Sequence, residues 1–208
     1  MLLESAKLLS ETRLLIVGDL MLDKYWNGST QRISPEAPVP IVNINSISEH
    51  GGGAANVALN ASSLAKSPIL VGQIGSDESG LILKKILKEG KVISCIEELK
   101  NIKTITKLRV VSIGQQLVRV DFESDYASTD KSNLLESIEK NINKVNTIII
   151  SDYNKGTLSH VEKIISICNK HNKDIIIDPK GNDFSKYKNA TIITPNYSEF
   201  SNIMGESS

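Results

Sequence analysis

Two carboxylates lie just beyond the first apolar run of the chain, where they could bind hydroxyl groups. The run covers residues 14–17 (LLIV), and the segment 18–23 (GDLMLD) places Asp19 and Asp23 directly after it. Carboxylates at the carboxyl end of a strand are suited to accepting hydrogen bonds from the hydroxyls of a polyol. A turn with two solvated acids would explain the segment about as well.

Three consecutive glycines before a helical pattern form a second candidate. Residues 51–56 read GGGAAN, and glycines at a helix start let a ligand approach backbone N–H groups that attract polar or anionic atoms. The spacing fits neither G-x-G-x-x-G nor the phosphate-binding P-loop, which needs Lys-Ser/Thr after the last glycine. Close packing of the helix against a sheet explains the glycines about as well.

Basic residues follow two neighbouring predicted strands. Residues 151–156 (SDYNKG) and 178–181 (DPKG) each put an acid and a lysine, Lys155 or Lys180, at a strand end. One such lysine is usually solvated, whereas two at equivalent strand ends suggest a shared cleft for phosphate. Residues 194–200 (TPNYSEF) then read as a strand end, a Pro-Asn turn and the first turn of a helix, again where ligands bind in α/β enzymes.

Strand and helix patterns alternate along most of the chain. Short apolar runs typical of strands buried on both faces occur at residues 14–17, 69–71, 146–151, 174–178 and 191–194. Helices are predicted at residues 54–65, 77–89, 130–142 and from about 159. The alternation predicts an α/β fold with a mainly parallel sheet and helices on both faces.

Two of these helices carry specific expectations. The helix over residues 77–89 would be capped by Gly90 and would bury one side, formed by Leu81, Ile82, Ile86 and Leu87. Residues 159–162 (SHVE) would open the following helix as a capping box.

Two stretches interrupt the alternation. Residues 24–49 contain three prolines and end in alternating apolar positions, and residues 103–123 read as two β-branched strands joined by a turn near Gly114. Lys107 and Arg109 would share one face and could bring positive charge to the cleft. Together the stretches predict a small antiparallel sheet that serves as a flap over an active site. Decoration of a sheet edge is the alternative.

Composition restricts the kinds of partner. Lys+Arg and Asp+Glu both number 24, so there is no global basic field for nucleic acid or membrane. Cys95 and Cys168 lie in apolar stretches, which favours two buried thiols in a reducing compartment over a disulfide. The three histidines show no metal-ligand spacing with either cysteine. Since no apolar run approaches the roughly 20 residues of a membrane span, the cytoplasm is expected.

Taken in chain order, the motifs resemble those of the ribokinase-like (PfkB) family of carbohydrate kinases, with G-D after the first strand, G-G-A-A-N on the first helix and P-N-x-x-E late. Within the family they look like the kinases of D-glycero-β-D-manno-heptose 7-phosphate. The segments that carry this resemblance are GDLMLDKYW, QRISPEAPVPIV, GGGAANVALN, TITKLRV, QQLVRVDFE, SDYNKG, IDPKG and TPNYSEF. The match runs from about residue 11 to 204, and ribokinases and fructokinases lack the RISPEAPVP segment.

The resemblance implies one ribokinase-like domain over residues 1–208, a three-layer α/β/α fold with a small β-sheet lid over segments 24–49 and 103–123. Because such lids often pair, it also implies a homodimer through the lid. The sugar hydroxyls would be held by Asp19, Asp23, Gly52, Gly53 and Asn56. The candidates for the 7-phosphate are Lys107, Arg109, Lys155 and Lys180.

ATP and Mg²⁺ are the cofactors that the resemblance implies. Asn196 would lie near the ATP phosphates, and Glu199 would help to organise Mg²⁺ through water. The implied reaction is in-line transfer of the γ-phosphate to the anomeric hydroxyl at C1, which gives the 1,7-bisphosphate in lipopolysaccharide core synthesis.

One family motif has no counterpart in the 208 residues. Ribokinase-like enzymes carry a D-T-x-G-A-G-D segment after P-N-x-x-E, whose glycines stabilise the migrating phosphate and whose last aspartate is the general base. Losing a general base costs about 10²–10⁴-fold in rate, and losing an anion hole about 10²–10³-fold. We therefore expect a catalytically incomplete chain without a catalytic residue, its remainder truncated or encoded separately. The alternative is a non-catalytic module that binds a sugar phosphate or dimerises.

Overall fold

The computed structural model describes residues 10–205, so residues 1–9 and 206–208 of the predicted domain lie outside it. The strands are β1 Arg13–Gly18, β2 Leu20–Ile33, β3 Pro40–Gly53, β4 Lys66–Gly75, β5 Ile93–Leu99, β6 Thr106–Ser112, β7 Gln115–Phe122, β8 Thr147–Ser151, β9 Asp174–Asp178 and β10 Ile192–Ile193. The helices are α1 Ala54–Leu64, α2 Glu78–Glu89, α3 Ser132–Ile142, α4 Val161–Lys170 and α5 Tyr197–Met204, with a 3₁₀ turn at Ser185–Tyr187.

Six parallel strands form the central sheet, in the order β10-β9-β8-β1-β4-β5. Helices α1 and α2 cover one face, against side chains such as Ile16 and Leu70. Helices α3 and α4 cover the other face, against Leu15 and Val17. The strands read as continuous apolar runs because both faces are buried. The predicted three-layer α/β fold is therefore confirmed.

A separate four-stranded sheet has the order β3-β2-β6-β7 and contains both stretches that interrupt the alternation. Pairs β2–β3 and β6–β7 are antiparallel, as predicted, but β2 and β6 pair in parallel. The sheet is therefore mixed, and the prediction of a purely antiparallel sheet was wrong. The first strands of the two hairpins run side by side in the same direction, which makes their shared ladder parallel.

Three local expectations were wrong. Leu81 is exposed, although Ile82, Ile86 and Leu87 pack against the core as predicted. Helix α2 instead buries Leu83, four residues before Leu87. Helix α4 begins after His160 without a side-chain cap, so the predicted capping box is absent there. Cys95 is only half-buried, because it lies on β5, an edge strand whose mixed polar sequence gave no clear strand pattern.

No helix within the described residues is long and apolar enough to cross a membrane.

Candidate functional site

The chain order of the central sheet reverses at β1, which has β4 on one side and β8 on the other. In open α/β sheets ligands bind outside the carboxyl ends of the strands at such a point. Strands β1 and β8 approach each other closely here, since a Cβ on Gly18 would lie only 2.2 Å from the Ser151 carbonyl oxygen. Asp19 follows β1 directly, and the loop over residues 152–157 follows β8, so Asp19 and Lys155 both lie at this crevice.

Asp19 is fully buried, and its carboxylate accepts three backbone hydrogen bonds. Oδ2 accepts from the N–H groups of Tyr153 at 2.9 Å and Lys155 at 3.1 Å, and Oδ1 accepts from Thr157 at 3.0 Å. The Asp19 carbonyl also accepts from Ala54 N–H at 2.9 Å, at the start of α1. In this arrangement Asp19 fixes the loop and the helix start.

Asp23 lies on β2 in a more open environment. Its Oδ1 accepts a hydrogen bond from Arg109 Nη1 at 2.5 Å, and the guanidinium lies 5.1 Å from the ring centroid of Tyr25. Burial would lower the pKa of Arg109, but the hydrogen bond to Asp23 raises it. A Cβ on Gly52 would lie 2.3 Å from Asp23 Oδ2. Only glycine therefore leaves this carboxylate in place, and a hydroxyl could approach it next to the backbone.

The other residues predicted to bind the sugar, Gly53 and Asn56, lie at the start of α1. Gly53 has a φ of 58° directly before α1, a conformation that glycine adopts without strain. Asn56 lies exposed on the first turn of α1. The structure thus brings Gly52 to the Asp23 carboxylate and Gly53 to the Asp19 carbonyl, and it leaves the Asn56 side chain at the surface.

Paired residues on neighbouring strands point to the same face of a sheet, which gives the four-stranded sheet two different faces. The charged face carries Asp23 and Tyr25 on β2, and their partners on the next strands are Lys107, Arg109, Arg119 and Asp121. The apolar face carries Trp26, Ile47, Leu108, Val110, Val118, Val120 and Phe122.

Ion pairs connect the charged face with the loop after β8. Lys107 Nζ lies 3.1 Å from Asp121 Oδ2 and 3.9 Å from Glu123 Oε1, and Lys155 Nζ also binds Glu123. Arg119 Nε lies 2.9 Å from Asp121 Oδ1. Lys107 and Lys155 are thus brought together as predicted. The prediction from sequence did not include Arg119, Asp121 or Glu123, although they alternate in QQLVRVDFE and so share one face of their strand.

Lys180, which was expected to share a phosphate cleft with Lys155, makes a separate ion pair. Its Nζ donates to Glu199 Oε1 at 2.8 Å, while Glu199 Oε2 accepts from Asn196 N–H at 3.0 Å. Asn196 Oδ1 in turn accepts from Glu199 N–H at 2.9 Å, so P-N-x-x-E forms a capping box at the start of α5. The hydrogen bond from Lys180 lowers the pKa of Glu199.

Asp178 and Tyr153 lie between the two groups. Burial raises the pKa of Asp178, and the negative charge of Glu199 raises it further. Burial also raises the pKa of Tyr153, with further contributions from Asp178 and Asp23. Within residues 10–205 no group of three or more His, Cys, Asp or Glu side chains is arranged to hold a metal ion.

Comparison with known proteins gives consistent matches. The sequence profile of the pfkB family of carbohydrate kinases matches residues 11–208. Bifunctional protein HldE of Haemophilus influenzae strain PittEE is 47% identical over 196 residues, which cover 94% of this chain and 41% of that protein. Bifunctional protein HldE of Psychromonas ingrahamii is 46% identical over 197 residues, which cover 94% and 41%. The chain thus spans well under half the length of these relatives.

A solved structure shows the same fold. The carbohydrate kinase from Agrobacterium tumefaciens superposes with a TM-score of 0.75 at 16% sequence identity, over 93% of this chain and 64% of that one. At that identity the likeness concerns the fold alone.

Proposed function

The chain belongs to the pfkB family of carbohydrate kinases, and from this premise we propose that it serves ATP-dependent phosphorylation of D-glycero-β-D-manno-heptose 7-phosphate at C1. The product would be the 1,7-bisphosphate of lipopolysaccharide core synthesis, made in the cytoplasm. The motif resemblance to heptose 7-phosphate kinases and the identity to HldE support the substrate. The observation that carries the proposal is the Asp23 carboxylate held between Arg109 and the Gly52 backbone, next to a sheet face rich in cations.

The sugar would bind at the crevice between β1 and β8. Asp23 would accept hydrogen bonds from its hydroxyls, and Gly52 and Gly53 let the ring approach the backbone. Arg109 holds the Asp23 carboxylate in one orientation. Asp19 would contribute mainly by holding the loop that carries Lys155, because its carboxylate oxygens already accept hydrogen bonds from that loop. Asn56 would reach the sugar from the first turn of α1.

The cations divide between the two substrates. Lys107 and Lys155 lie on or next to the charged face, so we assign them to the sugar phosphate, whereas Arg109 is engaged by Asp23. Lys180 pairs with Glu199, so we assign it to the phosphates of ATP. The four-stranded sheet would then serve as the lid over the sugar.

The residues around Asn196 fit a magnesium–ATP complex. Asp178 is partly buried next to the negative charge of Glu199, and a divalent cation would relieve the repulsion that raises its pKa. Both Glu199 oxygens already accept hydrogen bonds, so a water-bridged contact suits this residue better than a direct one. When bound, Mg²⁺ neutralises phosphate charge in the transition state. Lys180 and the α5 N-terminus would orient the phosphates.

Two measurements test this proposal. Calorimetric titration of the 208-residue polypeptide should show binding of heptose 7-phosphate and weaker binding of glucose 6-phosphate. An ATP-dependent assay should show negligible turnover, because these residues include no D-T-x-G-A-G-D segment. Absence of binding at millimolar ligand would refute the substrate assignment, and measurable turnover would refute the incompleteness.

We also propose a homodimer through the four-stranded sheet. Val118, Val120 and Phe122 are exposed on its apolar face, and β3 and β7 are its edge strands. Exposed apolar surface and open edges both favour association. A matched pair of variants tests it: Val118→Asp should give a monomer by light scattering, whereas Gln116→Asp on the same strand should stay dimeric. A monomeric wild-type chain would contradict the proposal.

A further inference from the structure

On the charged face, one carboxylate holds two cations. Asp121 Oδ2 accepts from Lys107 Nζ at 3.1 Å, and its Oδ1 lies 2.9 Å from Arg119 Nε. Burial acts to raise the pKa of Asp121, but the hydrogen bonds from Lys107 and Arg119 outweigh it and lower the pKa. Asp121 is therefore an ionised group shared by both cations.

The charges in this part of the site do not balance. Lys107, Arg119 and Lys155 are three cations, and the carboxylates within 4.0 Å of them are two, Asp121 and Glu123. One positive charge is left over. The other two basic residues of the site are matched one to one, Arg109 with Asp23 and Lys180 with Glu199. The excess positive charge thus lies at the β6–β7 pair.

Arg119 is the accessible member of this group. It lies directly opposite Arg109 in the β6–β7 register, and like charges in that position destabilise a sheet. Arg109 is neutralised by Asp23, but half of the Arg119 side chain is exposed (50%). Its ion pair with Asp121 runs through Nε, and the half-exposed side chain can present its Nη groups for a planar, paired contact with phosphate oxygens.

The spacing of the strands suits a sugar phosphate. Asp23 on β2, Lys107 on β6 and Asp121 on β7 form one row across the sheet. Neighbouring strands lie about 4.8 Å apart, so the backbones of β2 and β7 are separated by about 10 Å. A seven-carbon sugar with its hydroxyls at Asp23 could span this distance only through its exocyclic chain and terminal phosphate.

We propose that Arg119, together with Lys107, binds the terminal phosphate of the sugar substrate, and that Asp121 holds both cations in position before the ligand arrives. The proposal rests on the proposed function, because it assumes a phosphorylated sugar as the ligand. It assigns the phosphate to a residue that the motif resemblance did not mark. Arg109 then orients Asp23 and does not bind the phosphate itself.

Calorimetric titration of the full 208-residue chain tests the proposal with two ligands, heptose 7-phosphate and unphosphorylated heptose. Arg119→Gln should weaken heptose 7-phosphate binding about 10- to 100-fold, as expected for lost hydrogen bonds to a charged group. Binding of unphosphorylated heptose should stay unchanged. Arg32→Gln removes the same charge from an exposed position on β2 and should change neither affinity.

Asp121→Asn provides an independent test, since it keeps the shape of the side chain and removes the charge that holds Lys107 and Arg119. We expect it to weaken binding of heptose 7-phosphate severalfold and to leave binding of unphosphorylated heptose unchanged. An unchanged affinity for heptose 7-phosphate would contradict the positioning role of Asp121. Equal affinities of Arg119→Gln and wild type for heptose 7-phosphate would overturn this inference and leave the proposed function standing. A wild-type chain that binds neither sugar would refute the proposed function itself.

Discussion

The loop fixed by Asp19 and the charged face that carries Asp23 use the same residue types in opposite ways. Around Asp19 three backbone N–H groups satisfy a fully buried carboxylate, and no part of it reaches solvent. Around Asp23 the carboxylate contacts one arginine and a glycine and remains partly exposed. The first arrangement stabilises the fold, and the second is open to a ligand.

The difference shows that a carboxylate at a strand end is not yet a binding group. Both acids follow β1 closely in sequence, and both were expected to hold sugar hydroxyls. What separates them is the number of internal donors each one meets, since a buried carboxylate must be satisfied inside the protein. Substitutions at the two aspartates and at residues that resemble or contact them test this difference.

Asp19→Ala should have the largest effect on stability. The substitution leaves the N–H groups of Tyr153, Lys155 and Thr157 without their acceptor in a buried place. We expect a loss of at least about 3 kcal/mol in the free energy of unfolding, measured by urea denaturation. Asp174→Ala, at an exposed position at the start of β9, is the control. A loss below about 1 kcal/mol would show that Asp19, like Asp23, contributes little to stability, and it would contradict the difference between the two carboxylates.

Asp23→Asn should weaken sugar binding more than it changes stability. Because its pair with Arg109 is partly exposed, we expect a change in unfolding free energy within about 1 kcal/mol. Sugar binding should weaken about 10- to 100-fold, since a hydrogen-bonded charge is lost from the proposed site. Calorimetry with unphosphorylated heptose measures this without any contribution from phosphate. Unchanged affinity would show that Asp23 is structural.

Gly52→Ala should act on sugar binding through Asp23. Its new Cβ would lie 2.3 Å from Asp23 Oδ2 and 2.7 Å from Met21 Cγ, so the flexible carboxylate and the Met21 side chain would both have to move. We expect about a 10-fold loss of heptose affinity, as for one lost hydrogen bond. A double-mutant cycle decides the cause, because Gly52→Ala should add little to Asp23→Asn if both act on one group. Full additivity would contradict this mechanism.

The smallest effect concerns Glu199. One of its carboxylate oxygens accepts a backbone N–H, as in Asp19, and the other pairs with a basic side chain, as in Asp23. Its pKa is lowered in the folded state, first by the hydrogen bond from Lys180, so its stabilisation is present above the unfolded pKa and is lost as pH falls. Lys180→Met should raise the Glu199 pKa, measured by NMR titration. It should lower the free energy of unfolding by at most about 1 kcal/mol at pH 7, because Lys180 is half-exposed. It should have no effect on that free energy at a pH low enough to protonate Glu199. An unchanged Glu199 pKa would exclude Lys180 as the cause.

Much of the fold could be predicted from sequence because its signals are local. The buried parallel strands read as apolar runs, and the ends of α1 and α2 followed from glycines and small residues. Predictions failed where the signal depends on packing. The choice between Leu81 and Leu83 on α2 depends on how the helix lies against the sheet, since both fit an amphipathic stripe.

The candidate site was predictable in part for the same reason. Motif positions identified Asp23, Gly52 and Glu199, and alternation placed Lys107 and Arg109 on one face. Alternation alone did not say which face of the β6–β7 hairpin meets the loop after β8. Arg119 therefore could not be distinguished from an ordinary solvated arginine until the ion pairs of Asp121 and Glu123 were seen.

From the sequence alone we could identify the family, the order of strands and helices, and the glycines that let backbones approach each other at β1 and α1. These depend on residue type and on spacing along the chain. The tertiary structure was needed to show that the Asp19 carboxylate is buried and the Asp23 carboxylate partly exposed, that Lys180 pairs with Glu199, and that one positive charge is left over beside Arg119. Burial and charge balance depend on partners far apart in sequence, which meet only when the sheets assemble.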